Sequence, residues 1–172
     1  GGLHGVGISV VNALSEKLNI EVYRDGFIYS QSYSRGHALT KLEKIVSSKK
    51  QKGTKITFTP DSEIFGDISL KPKRVYDLAK SKAYLYKGFE IHWSCSPELI
   101  NNEEVPAKSV IHFPNGLKDY LDSKLDKEKI IGGEIFSGNA EIASEAMKIE
   151  WAMCWHEDEN FVQSYCNTIP TS

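Results

Sequence analysis

Cysteine is scarce: Cys95, Cys154 and Cys166 are odd in number, far apart and without a C-x-x-C pair. That argues against a disulfide framework or a zinc site, and it suits a reducing cytosol. Cys95 and Cys154 fall in apolar, strand-like contexts, where buried, inert thiols are expected. No apolar run approaches the roughly 20 residues a bilayer requires. Nor is there a signal-peptide pattern, because the first residues are glycines with no basic region and no apolar core after them. With no methionine at its start, the chain reads as a piece of a longer polypeptide. Two phosphate motifs are missing as well. No glycine loop ends in Gly-Lys-Ser/Thr, and the order Gly2-x-x-Gly5-x-Gly7, with no strand before it, is not the G-x-G-x-x-G dinucleotide fingerprint. Charge of one sign is lacking overall, at a net -2, but not locally. Residues 1–90 carry 15 Lys and Arg against 9 Asp and Glu, and residues 91–172 carry 6 against 14. A basic half attracts nucleotide or nucleic acid. Solvated lysines are the commoner explanation, particularly for Lys49-Lys50-Gln51-Lys52, which has no interleaved aromatics.

What is present is concentrated at the front. Gly1-Gly2-Leu3-His4-Gly5-Val6-Gly7 places four glycines in seven positions, a backbone open to positive φ and to close approach by another group. Val10, Val11, Leu14 and Leu18 then recur at helical spacing, predicting a helix that ends near Leu18. Its first turn has unpaired N–H groups and the positive end of the dipole, an environment that favours phosphate. The residues alone leave a second reading open, in which this is a plain entry turn and His4 an ordinary turn histidine.

Along the chain, Asn19–Arg24 and Phe27–Ser34 read as strands joined by Asp25-Gly26, a strong hairpin signal. Arg35-Gly36 closes the second strand, a short strand follows through Leu42–Val46, and Thr54–Thr59 alternates as a strand terminated by Pro60-Asp61. Lys71-Pro72 opens a helix with Val75, Leu78, Ala79, Lys82 and Leu85 inward, ending at Lys87-Gly88. Phe89–Cys95 and a strand ending at Phe113 form a hairpin. Pro114-Asn115-Gly116 is the clearest boundary. After it come a short helix with Leu117, Tyr120, Leu121 and Leu125 inward and three strands, Glu134–Ser137, Met147–Trp155 and Phe161–Thr168. His156–Asn160 is read as the turn between the last two. His92, Trp93 and His112 read as packing or strand-surface residues, and the acids 157–159 as a solvated turn.

The words of the glycine stretch are themselves specific. Gly-Gly-Leu-His-Gly-Val-Gly followed by Ser9, Val10-Val11 and Asn12-Ala13-Leu14-Ser15 resembles the end of the ATP lid in the B subunits of bacterial type IIA topoisomerases, DNA gyrase and topoisomerase IV. Lys52–Phe58, Ser81–Leu85 and Ser164–Thr171 extend the resemblance along the chain. Ile169-Pro170-Thr171 is closer to topoisomerase IV than to gyrase. The resemblance implies an α+β fold: part of a Bergerat-type (GHKL) ATPase sandwich of helices on a mixed sheet over residues 1–113, then the beginning of an α/β transducer domain over 114–172. It implies ATP as ligand, with Gly2, Leu3, His4, Gly5, Val6, Gly7 and Ile8 on the phosphates, Gly53 and Thr54 beside the adenine, and Arg24 at the pocket mouth. It also implies magnesium, a second copy of the same subunit, the A subunit and DNA as partners of a cytoplasmic dimeric enzyme, and no membrane. The family's water-activating glutamate, magnesium-binding asparagine and adenine-reading aspartate lie upstream of these residues, and its transducer lysine downstream. No catalytic residue and no metal ligand is therefore assigned here. A non-catalytic anion-binding or protein-interaction domain is the alternative.

Overall fold

The computed structural model describes residues 5–47, 51–67, 70–101, 104–145 and 147–171. Helix α1 spans Gly7–Ala13 and hands over at once to strand β1, Ser15–Arg24. The helix is thus shorter than expected, and the reason is Leu18. That side chain is 1% exposed within β1, between Tyr33 and Phe58 of the neighbouring strands, so burial in a sheet overrides the helical spacing. The Ser15 hydroxyl donates to the Val11 carbonyl at 2.6 Å and closes the helix instead.

Strand β2, Phe27–Ser34, pairs antiparallel with β1 across a two-residue turn in which Asp25 and Gly26 have φ of 54° and 78°. Both positive angles are what a turn matched to strand twist requires. Strands β3, His37–Ala38, and β4, Glu43–Val46, both lie on β2, and β5, Gly53–Pro60, lies on the other side of β1. Beyond β5, Asp61 caps a single-turn helix α2, Ser62–Phe65, by accepting from the Glu63 amide at 3.0 Å; the sequence reading missed this turn. These elements make up one compact unit, Gly1–Ser69, and Leu70–Ser172 makes up a second.

The second unit begins with α3, Pro72–Leu85, where proline occupies the first turn as expected. Its buried face is not the expected one. Ala83 and Tyr84 are buried and Tyr76, Ala79 and Leu85 pack beside them, whereas Val75 and Leu78 are exposed. Aromatic size decides this. The Tyr84 ring stacks on Tyr120 with centroids 4.0 Å apart and meets Phe113 and Tyr165 edge-on, and no smaller aliphatic competes with that buried area. Its hydroxyl pairs with that of Tyr165 at 2.6 Å, and burial pushes the Tyr84 phenol well above its ordinary range, with the Tyr165 hydrogen bond adding to it.

Strands β6, Glu90–Ser94, and β7, Lys108–His112, form the expected hairpin, with the Trp93 indole donating to the Pro106 carbonyl. His92 bonds Glu90 at the surface. Helix α4, Leu117–Lys124, follows Gly116 as expected. After it the strand order differs from the reading. Strand β8 is Phe136–Ile142 and β9 Met147–Met153, and they pair with each other in full register from Phe136↔Met153 to Ile142↔Met147. Residues 161–163 are not strand; β10, Ser164–Cys166, turns directly into β11, Ile169–Thr171. All strand pairs among the described residues are antiparallel. Cys95 and Cys154 are half-buried and Cys166 exposed, all as free thiols, so the first two are less enclosed than expected.

Candidate functional site

Of the residues expected on phosphate, Gly2, Leu3 and His4 lie outside the described residues; Gly5, Val6, Gly7 and Ile8 lie within them, and all four are exposed. Gly5 has φ of 64°, and among the described residues nothing lies within 4 Å of where a Cβ would stand on Gly5 or Gly7. The first amides of α1 have no intrahelical acceptor by geometry, and among the described residues no side chain caps them. Among the described residues, the front of the helix is therefore an uncapped backbone surface, bordered by the exposed Val6 and Ile8 side chains.

The other end of α1 is closed. The Gly36 amide donates to the Asn12 carbonyl at 3.1 Å, Asp61 to Leu14 at 3.0 Å and Arg35 to Ser15 at 2.8 Å. Arg35 also grips Asp61 with two nitrogens, Nε at 2.6 Å from Oδ2 and a terminal nitrogen at 3.2 Å from Oδ1, and reaches Glu63 at 2.8 Å. The Asp61 side chain is 2% exposed. A carboxylate removed from water to that degree needs such a partner. The Arg35 guanidinium holds the Asp61 carboxyl below its ordinary range against the opposing push of burial, and the Glu63 amide helps. This cluster was not legible as a site, because its members are 26 residues apart and read locally as a turn and a strand end.

Arg24, Gly53 and Thr54 come together at the far end of the sheet. Thr54 pairs with Val22 and Gly53 with Tyr23, one residue before Arg24. Arg24 and Thr54 are exposed. The Arg24 guanidinium meets Asp25 at 3.1 Å with both side chains about three-quarters exposed. A pair so solvated is worth at most about 1 kcal/mol, so it leaves Arg24 available to a stronger anion. Ten residues of β1 separate this end from the one α1 enters. Among the described residues, no hydrogen bond or ion pair joins Gly5–Ile8 to Arg24, Gly53 or Thr54. No group of three His, Cys, Asp or Glu among the described residues could hold a metal ion. No described helix is long and apolar enough to cross a membrane.

Comparison with known proteins bears on all of this. The B subunit of DNA topoisomerase 4 from Rickettsia bellii is 55% identical over 174 residues, covering 99% of this chain and 26% of that protein. Its counterpart from Bartonella bacilliformis is 46% identical, again over 99% of this chain and 25% of its own length. The topoisomerase IV ATP-binding domain of Francisella tularensis, solved with a small-molecule inhibitor, superposes with a TM-score of 0.70 at 35% identity over 99% of this chain. Over nearly its whole length the chain is similar to a part of the B subunits of bacterial type II DNA topoisomerases. A family model described as DNA gyrase B matches residues 116–172. The 43K ATPase domain of Thermus thermophilus gyrase B, solved with an aminocoumarin, superposes with a TM-score of 0.81 at 26% identity over 97% of this chain. Among these topoisomerase relatives the chain spans about a quarter of the curated proteins and 44% of each solved domain. The α+β fold expected from the resemblance is the fold of those ATPase domains.

Proposed function

We propose that the chain is the ATP-binding part of a topoisomerase IV-type B subunit, an enzyme that passes DNA strands at the expense of ATP. The observation that carries this is the identity of 46–55% to the B subunits of topoisomerase 4 across nearly the whole chain, starting in the glycine loop. In this reading the amides of Gly2, Leu3, His4, Gly5, Val6, Gly7 and Ile8 grip the triphosphate, with His4 adding a side chain. Thr54 and Gly53 border the adenine, and Arg24 guards the mouth. The exposed, uncapped backbone at Gly5–Ile8 is of the kind such a grip needs.

Residues 1–113 then act as the ATPase part and 114–172 as the start of the transducer; the match to DNA gyrase B that begins at residue 116 supports that division. Magnesium accompanies ATP in the family, but the described residues offer it no ligand cluster, and no step is assigned to it here. The partners are a second copy of the same subunit, the A subunit and DNA, in the cytoplasm.

The test replaces Gly5 and Gly7 with valine in the full-length subunit. Valine at φ of 64° is strained, and two isopropyl groups fill the surface the phosphates would use. ATP-dependent strand passage is expected to be lost, and retention of full activity would favour the alternative of a plain turn.

A further inference from the structure

Helix α1 is held by one end. None of its residues is buried among the described residues, and Val11 and Asn12 are only half-buried, so side-chain packing does little to orient it. Its last turn is fixed by backbone instead, with the Gly36 amide on the Asn12 carbonyl and the Asp61 amide on the Leu14 carbonyl. Both donors belong to the segments that the Arg35–Asp61 ion pair joins, the turn after β2 and the end of β5. Gly36 stands so near that a Cβ there would touch the Ala13 backbone at 3.5 Å.

The turn itself bears the mark of that pairing. Arg35 and Gly36 link β2 to β3 with φ of 50° and 83°, the same left-handed pair of angles found at Asp25 and Gly26. The Asp25 turn fills its leading position with a side chain that tolerates the region, whereas arginine at 35 tolerates it less well. Local turn chemistry therefore does not select this arginine. Its guanidinium does, by meeting both oxygens of a carboxylate that is 2% exposed. A residue kept at an unfavourable angle by a partner 26 positions away marks a place whose geometry is specified beyond what the turn needs.

We propose that Arg35 and Asp61 are positioning residues for the glycine loop: their ion pair sets the direction in which α1 leaves the sheet, and so places the amides of Gly5–Ile8 for a triphosphate. The helix rises roughly 10 Å over its seven residues, so a small tilt at the anchored end is carried to the front. The pair, α1 and the described part of the loop all lie in the unit Gly1–Ser69. Both residues act through α1, and the inference rests on the proposed function above.

The experiment measures kcat and KM for ATP hydrolysis by the full-length subunit with its A subunit and DNA. Arg35→Asn combined with Asp61→Asn removes the pair without stranding a buried charge. Asparagine suits the positive φ at position 35, and at position 61 it can still accept from the Glu63 amide. In this double variant KM for ATP is expected to rise about tenfold, the scale of one hydrogen bond to a charged group, with kcat kept within about twofold. Arg35→Lys alone, which keeps the charge that Asp61 needs, is expected to hold KM within about threefold of the unaltered protein. A merely structural contact would lower kcat by reducing the active fraction and leave KM where it was. That result, an Arg35→Lys KM as high as the double variant's, or a double variant that does not fold overturns the proposal. Failure of the underlying reading looks different, because the unaltered protein would then show no saturable ATP hydrolysis, or Gly5→Val and Gly7→Val would leave its KM and kcat intact.

Discussion

Asp61 ties three chain segments together through one residue. It caps α2, accepts both arms of Arg35, and through its own amide fixes the Leu14 carbonyl at the end of α1. Its carboxyl titrates below the ordinary range because the charged form is the one Arg35 and the Glu63 amide stabilise. A group whose folded pKa is depressed contributes stability above its unfolded pKa, about 3.9 for aspartate, and loses it as pH falls through the lower folded value. Asp61→Asn is therefore expected to melt at a lower temperature than the unaltered protein at pH 7, and the difference should shrink as pH is lowered below about 4. Melting curves by circular dichroism across that range check it, and a difference independent of pH would assign the effect to packing. Nothing in the local pattern announced this residue. Arg35 and Pro60-Asp61 were legible as a turn and a strand end, which they are, but long-range charge pairing leaves no periodic trace in a sequence.

Elements were legible where one local signal had no competitor. Asp25-Gly26 fixed the β1–β2 hairpin, Pro72 the start of α3 and Gly116 the start of α4, each through a backbone angle that few other residues supply. Boundaries failed where apolar spacing fitted two structures, as at Leu18, and the α3 face was misread because aliphatic spacing was weighted above the large aromatics. The β8–β9 hairpin shows a third cause. Gly138 argues against a strand by propensity, yet it faces Trp151 across the pair, and a Cβ built there would come within 2.6 Å of the indole ring. The glycine is the space into which the tryptophan lies. Gly138→Val must displace that ring, at a cost of roughly 1–3 kcal/mol. Thermal unfolding should report the loss, and the altered emission of Trp151 should accompany it. Unchanged stability and emission would mean the ring leaves the glycine at little cost.

For the whole molecule, the glycine words pointed, before any geometry was known, to the same topoisomerase B subunits that the chain resembles over nearly its whole length, while under the proposed function the division of labour among its residues depends on what surrounds them in the full-length protein. Phosphoryl transfer needs a positioned water and simultaneous neutralisation of the developing charge. In the proposed reading the glycine amides serve the second and not the first. The water-activating glutamate and the γ-phosphate lysine that the resemblance calls for are not among the motif residues matched here, and the described residues present no carboxylate cluster suited to a metal ion. A polypeptide of these 172 residues alone is accordingly expected to show no ATP turnover above background, while under the proposed function the full-length subunit is expected to hydrolyse ATP. Phosphate release, measured after removal of contaminating ATPases, checks this. Steady turnover by the short polypeptide that vanishes with Gly5→Val and Gly7→Val would place a water-activating group inside this chain. The exposed carboxylates nearest the glycine loop would then be the residues to replace first.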